Sequence, residues 1–326
     1  MIQQEHSVTV REIEARAANR PWPSAGGAHI DPDILTEARR ELAADDVIGY
    51  TSAITRGGRR VRTWSLSNAP GKNTAIQQAA GRKRLLTARH MGWAETSPRN
   101  PKGLIGQAGE NVVRHLLDDL DPYSHIHWDT DHILGTHVPG GTIDASTFLT
   151  VERTGVPLAL TVLVEIKNQR QWFYSTNPSP HRFLAKAAQL QFSNPKAQIV
   201  PTFVSSWRHN STLELGRLLG FYGIGYRLQY VLDRAEIPPR HFTEVVEDLG
   251  YNDLHRGVEP NISLRHAFEI SLPRDSAAVA ERWNEAAGLV LPYSEAIRDA
   301  DTEQERRAWL DELLQDVIGQ LGAPAT

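Results

Sequence analysis

Between residues 100 and 232 the spacing of hydrophobic positions changes several times, and each change marks an element. A helix near 105–120 leads to strands near 125–135, 142–151 and 158–167, then to a helix near 181–192 and a strand near 198–204. A helix near 211–220 and a strand near 225–232 close the series. Residues 158–167 form an apolar, β-branched run, and Arg153-Thr154-Gly155-Val156-Pro157 ahead of it has hairpin turn chemistry. The strand that carries Asp144 is therefore expected to lie antiparallel to the strand that carries Glu165. Pro201 argues against a fully laddered central strand at that point, or marks a bulge or an edge. This order predicts an α/β fold, a mixed β-sheet flanked by helices.

Outside that stretch the patterns are mainly helical. Residues 8–18 have helical spacing, and Asp31-Pro32-Asp33 opens a second helix with an acidic cap and a proline in its first turn. Two β-rich segments around Gly57-Gly58 predict a hairpin. Ala69-Pro70-Gly71 breaks the chain, 73–90 is helix-compatible, and Ser97-Pro98-Arg99-Asn100-Pro101 marks entry to the next domain. After about residue 245 the chain is acidic and helical, clearest over 277–287 and 303–321, without a catalytic motif. A helical cap, a dimerisation surface and a partner-docking module all fit that C-terminal region. The expected domains are 1–68, a basic helical linker 69–102, 103–245 and 246–326.

The candidate chemistry sits on the two paired strands. Residues two apart on a strand share a face, so Glu165 and Lys167 project together while Ile166 points into the core. With Asp144 across the hairpin and Glu110 on the upstream helix, three carboxylates and one amine gather. Mg²⁺, with Mn²⁺ as a substitute, suits such a set: it takes oxygen ligands, keeps several waters and needs one or two carboxylates. The bland alternative is a solvated strand face, with Glu110 a helix-surface carboxylate near a helix start.

Over roughly residues 103–232 this arrangement resembles the PD-(D/E)xK nuclease superfamily, the restriction endonuclease-like fold. The resemblance implies that Asp144 and Glu165 are metal ligands, that Lys167 is the catalytic lysine, and that Glu110 is the acid many members carry on the helix before the first core strand. It also places an additional polar site residue on the helix after the lysine, where Gln189 fits and Lys186 and Gln191 are rivals. One departure stands out: Ile143 occupies the position before the aspartate where the motif has proline.

Composition narrows the possibilities. A chain of 326 residues suggests two or three domains, and the absence of cysteine excludes a disulfide framework and thiol catalysis. His125, His127, His132 and His137 bring a zinc site to mind, but their spacing fits no closed tetrahedral pattern, and solvent-facing or substrate-facing imidazoles fit as well. Trp172-Phe173-Tyr174 reads either as a nucleic-acid stacking platform or as an aromatic cluster packed under a loop. No apolar run is long enough for a membrane span and the first residues lack signal-peptide character, so a cytoplasmic location without membrane attachment is expected.

The net charge of −4 hides an asymmetry. From Arg56 to Lys102 there are eleven Lys and Arg against the single acid Glu95, whereas 251–326 holds fourteen acids and seven arginines. Concentrated positive charge points to a polyanion, with a solvated basic face as the alternative. Helices followed by a basic hairpin resemble a winged-helix domain over about residues 7–68, and a small α+β protein-interaction domain reads the same way. Arg56, Arg59, Arg60 and Arg62 would then lie on or beside the wing, with Lys72, Arg82, Lys83 and Arg84 as further nucleic-acid contacts. The expected protein is a Mg²⁺-dependent endonuclease acting on double-stranded DNA, in restriction, phage defence or repair, with a homodimer as one assembly. A non-catalytic DNA-binding regulator or adaptor of nuclease-like fold, and a ribonuclease, are the alternatives.

Overall fold

A computed structural model describes residues 1–18, 30–55, 58, 60–67, 73–98 and 100–322. In chain order the helices are α1 (Ile2–Glu5), α2 (Val10–Ala18), α3 (Pro32–Ala44), α4 (Asn73–Trp93), α5 (Gly103–Asp119), α6 (Pro178–Ser193), α7 (Asn210–Leu219), α8 (Pro239–Leu249), α9 (Ile262–His266), α10 (Leu272–Asp299) and α11 (Glu303–Leu321). The strands are β1 (Ile48–Ile54), β2 (Arg60–Leu66), β3 (Tyr123–Thr130), β4 (His132–Ile133), β5 (Thr136–His137), β6 (Ile143–Arg153), β7 (Val156–Phe173), β8 (Ile199–Arg208), β9 (Tyr222–Gly225), β10 (Gln229–Val231) and β11 (Leu254–Arg256). The fold is mixed α/β. Among the described residues no helix is long and apolar enough to cross a membrane.

Two compact units share the chain: 1–108 with 228–257, and 109–227 with 258–326. This division departs from the expected one at both ends. Residues 228–257 span the expected boundary at 245/246, yet they complete the N-terminal unit. The C-terminal helices, read as a separate region, build the core of the second unit.

In the second unit a five-stranded sheet has the order β3-β6-β7-β8-β9. The β3–β6 and β6–β7 pairs are antiparallel and the β7–β8 and β8–β9 pairs parallel, so the sheet is mixed. Thr154 and Gly155, with φ of 50° and 78°, make the tight β6–β7 turn. Leu163 and Phe203 of the sheet, Phe183 and Leu184 of α6, and Trp283 and Val290 of α10 join one fully buried cluster. α11 adds Leu310, Leu313 and Val317 to it.

Pro201 lies inside β8, an interior strand, so it marks neither an edge nor a bulge, and the remaining expectation, a central strand not fully laddered at that point, is the one that fits. The Thr161 N–H donates to Gln198 O, so even-numbered residues of β8 turn their peptide groups to β7 and Pro201 turns to β9. The β8–β9 ladder starts only at Thr202↔Tyr222. The missing donor therefore falls just outside the ladder and costs no hydrogen bond.

In the first unit β1 and β2 form the hairpin, in register from Ile48↔Leu66 to Ile54↔Arg60. Val61 and Thr63 are buried, whereas Arg60 and Arg62 are exposed, the Arg62 guanidinium lying 5.4 Å from the Tyr50 ring centre. Arg56, Arg59 and Lys72 lie outside the described residues. α4 packs against α8, and His90 joins Gln229 at 2.8 Å. β10 and β11 pair in parallel beside it in sequence order Gln229↔Leu254 to Val231↔Arg256.

The basic helix α4 corrects part of the expected nucleic-acid surface. Lys83 is buried, its Nζ donating to Glu12 Oε1 at 2.6 Å, to Glu5 Oε2 at 3.0 Å and to the Asp248 carbonyl. Arg82 pairs with the Asp248 carboxylate, and Arg89 with Glu244 at 2.6 Å. Arg84 is half-buried. Lys83 and Arg82 are thus neutralised within the unit, by acids far away in sequence, and Lys83 faces no solvent through which DNA could approach.

Candidate active site

Alternation along β7 puts Glu165 and Lys167 on one face and turns Ile166, 5% exposed, to the other. The β6–β7 ladder runs from Arg153↔Val156 to Ala145↔Val164, and one further step sets Asp144 beside Glu165. Here a side chain replaces the ladder: the Ile166 N–H donates to Asp144 Oδ2 at 2.7 Å. That bond fixes the Asp144 carboxylate where the two strands begin to diverge. Lys167 Nζ donates to Glu165 Oε1 at 2.5 Å and lies 4.0 Å from Asp144 Oδ2. The three side chains keep only 14–23% of their surface exposed, enough for contact with a small ion or water.

Burial raises the Glu165 pKa and the Asp144 charge raises it further, against opposition from Lys167 and Lys186. For Lys167 burial alone would lower the pKa, but Glu165, Asp144 and Glu110 together outweigh it, and the amine is held charged above its usual range. Two carboxylates at low exposure, one reluctant to ionise beside the other, form a place that added positive charge relieves.

Glu110 arrives by a close helix-to-strand approach. A Cβ on Gly109 would stand 2.4 Å from Asn168 Cβ, so only glycine lets α5 lie this close to β7. Asn168 is itself buried, its Oδ1 accepting from Ser206 Oγ and Tyr226 Oη at 3.2 Å each. Within this seam Glu110 is half-buried and its charge reaches Lys167. The carboxylates of Asp144, Glu165 and Glu110 do not all close to within 4.8 Å of one another. Glu110 therefore stands apart from the Asp144–Glu165 pair and bears on the centre through the charge it adds near Lys167.

On α6 the residues separate. Gln189 Nε2 donates to Glu295 Oε1 of α10 at 3.2 Å, and Gln191 donates to the carbonyls of Asn194 and Ala197 at the helix end. Lys186 donates to Thr142 O at 2.7 Å, two residues before Asp144, and its charge is felt by Glu165. Of the three candidates on this helix, Lys186 is the one electrostatically joined to the carboxylates.

The histidines and aromatics have other partners. His125 packs edge-on against Phe148 at 5.9 Å, and His132 bonds Asp131 at 2.9 Å with the His137 ring 5.1 Å away. A bulge between Ser124 and His127 interrupts the regular alternation that would have aligned His125 with His127. Trp172 rests on Trp207 at 5.1 Å, Phe173 on Phe203 at 5.4 Å, and Tyr174 stacks on His209 at 4.4 Å. These rings pack against one another within the protein.

The donor set fits a hard divalent cation: two carboxylates from adjacent strands, with room in the coordination sphere for water. Comparison with known proteins found no matching family model, no matching characterised protein and no matching solved structure.

Proposed function

We propose that this chain is a metal-dependent endodeoxyribonuclease of the PD-(D/E)xK type, with a winged-helix-like N-terminal unit that holds duplex DNA. The observation that carries this is the convergence of Asp144, Glu165 and Lys167 where β6 and β7 part, with Asp144 oriented by the Ile166 amide. The hairpin β1–β2, preceded by α2 and α3 and presenting exposed Arg60 and Arg62, supports the DNA-holding role.

A divalent cation, when bound, supplies a water of lowered pKa and neutralises charge on the phosphate. Asp144 and Glu165 would hold it. Lys167, kept charged by its three carboxylate neighbours, donates to a phosphoryl oxygen as negative charge grows there during in-line attack by water. The water oxygen bonds to phosphorus, the bond to the leaving sugar oxygen breaks, the attacking water gives up a proton and the leaving oxygen gains one. Lys186 adds positive potential on the same side.

The 2.5 Å Lys167–Glu165 pair also supports a second reading, a self-satisfied ion pair in a non-catalytic DNA-binding protein. One experiment separates them. Supercoiled plasmid incubated with pure protein and Mg²⁺ or Mn²⁺ is expected to be cut, and cutting is expected to stop in EDTA. Duplex binding without cutting under either metal supports the non-catalytic reading, and cutting of an RNA duplex in preference to plasmid would reassign the substrate.

The α5–β7 seam gives a second expectation. Gly109→Val must push α5 off Asn168, at a cost of about 1–3 kcal/mol, and move Glu110 away from Lys167. Cleavage is expected to fall about tenfold in a protein that still folds, since geometry errors near 1 Å have costs of that order or more. A folded Gly109→Val protein that cuts at the wild-type rate would remove Glu110 from the mechanism.

A further inference from the structure

A groove of about 1260 Å³ runs along β9, an edge strand of the sheet. α7 forms one wall through Leu213 and Arg217, and the stretch from Ser263 to Arg274 forms the other. Most charges lining it are paired. Arg274 bonds Asp275 at 2.7 Å, Arg282 lies 3.5 Å from Glu285, and Glu281 is held by Arg153. Arg208 and Arg217 are different: among the described residues neither has a carboxylate partner.

Arg208 is shaped to the groove by two glycines. Its side chain lies flat over β9, where a Cβ on Gly223 would meet Nη1 at 3.1 Å and a Cβ on Gly225 would meet Arg208 Cβ at 3.4 Å. The guanidinium donates to the Gly223 carbonyl, which uses part of a five-donor fork. Burial pushes the Arg208 pKa down, and the charges of Arg217 and Arg227 push it down again, against an opposing contribution from Tyr222. Two arginines acting on one half-buried guanidinium, with no acid among the charges that act on it, leave positive potential to be met from outside. Arginine forks match phosphate oxygens two at a time, and the half-buried Tyr222 ring beside them offers an aromatic face.

The strand register ties this groove to the acidic centre. Glu165 pairs with Phe203 and Phe203 with Gly223, while Lys167 pairs with Ser205 and Ser205 with Gly225. Gly223 and Gly225 thus share a sheet face with Glu165 and Lys167, two strands away, or roughly 10 Å at the usual strand spacing. Phe203, fully buried in the core, lies between the two on that face, so the register gives a distance and no open path.

We propose that the β9 groove is a phosphate-binding site in which Arg208 and Arg217, supported by Arg227, hold the sugar-phosphate backbone of a nucleic-acid strand. The phosphate chemistry stands on the groove alone, and its assignment to nucleic acid rests on the nuclease reading. The test uses the full chain in EDTA, with anisotropy of a fluorescein-labelled single-stranded 12-mer and calorimetry with ATP. Arg208→Gln/Arg217→Gln is expected to weaken the oligonucleotide at least about tenfold at low salt. Its log–log salt slope should fall by about 1.4, two contacts at ~0.7 each. Lys196→Gln/Arg234→Gln, which removes the same charge elsewhere, should change affinity less than about twofold on the same electrostatic grounds.

Loss of ATP binding together with the oligonucleotide supports the site, with phosphate as the recognised group. Loss of ATP binding alone overturns the nucleic-acid assignment, and unchanged binding of both probes overturns the site. If Arg208→Gln lowers the melting temperature, Arg217→Gln/Arg227→Gln, both exposed, gives the same readout. Plasmid cleavage by the same variants with Mg²⁺ reports the acidic centre separately. Cutting with unchanged affinity rejects the groove and leaves the nuclease reading in place, whereas weakened affinity in a protein that never cuts does the reverse.

Discussion

Asp144→Asn and Glu165→Gln are each expected to lower plasmid cleavage by at least about 10²-fold, the scale on which a single group acting on transition-state charge is worth 10²–10³. Duplex affinity should hold, because phosphate contacts elsewhere dominate it. A second readout does not depend on turnover. Burial and Asp144 keep the Glu165 pKa high in the folded protein, so the native state binds a proton more tightly than the unfolded chain does. Stability from this group is complete below the usual carboxylate pKa and is lost as pH rises through the higher folded value. At neutral pH the centre is therefore under electrostatic load, and Mn²⁺ should relieve it. At a hundred times its dissociation constant a ligand adds about 2.7 kcal/mol, or several degrees of melting temperature for a domain of this size. That increment should vanish in both variants. An Asp144→Asn protein that cuts normally, with contaminating nuclease excluded, or that is stabilised by Mn²⁺ as wild type is, would remove the carboxylates from the function.

The second large effect lies in the first unit. Lys83→Met is expected to cost about 3–5 kcal/mol, the range for breaking a buried ion pair by removing one partner. Lys83 and Glu12 are both buried, and burial already raises the Glu12 pKa. Without the amine, Glu12 keeps the Thr9 N–H at 3.3 Å and Arg16 at 3.0 Å, and Glu5 shares that arginine at 3.3 Å. Lys83→Met/Glu12→Gln should recover a large part of the loss, because the remaining charges balance better. Urea unfolding followed by circular dichroism measures both. A loss below about 1 kcal/mol in Lys83→Met would show that the cluster, though buried, has no more energetic weight than an exposed ion pair. The salt slope of DNA binding should not change.

How far the sequence alone reaches depends on distance along the chain. Asp144, Glu165 and Lys167 were legible because a hairpin and a period of two fix their relation within about twenty residues. The seam at Gly109 was half-legible: a glycine inside a strongly apolar helix marks a close approach, but nothing local says that Asn168 is what it approaches. Gln189 shows the limit of helix counting. Three residues along α6 turn a side chain from Thr142 to Glu295, and only the packed position of α10 decides which of Lys186 and Gln189 meets the site. Charge windows failed for a related reason. The excess over 56–102 counts Arg82, Lys83 and Arg89 as available, while their partners Glu5, Glu12, Glu244 and Asp248 lie far outside the window. Arg208 carried no signal beyond its lone charge, since the glycines that seat it, Gly223 and Gly225, come only after the whole of α7.

The interleaving of the two units has a consequence during synthesis. When residue 227 has been added, the N-terminal unit still lacks α8 and both strands of its parallel pair, and Lys83 has no Asp248 carbonyl to meet. The other unit, its sheet already translated, still lacks α10 and α11 and the Trp283 side chain that fills its core. The N-terminal unit has all its residues once 257 is added, whereas the other unit still waits for α10 and α11, so the unit that starts first in the chain can also close first. Splitting the chain at 102/103, where composition invites a cut, would leave both fragments with apolar surface that no residue of their own covers.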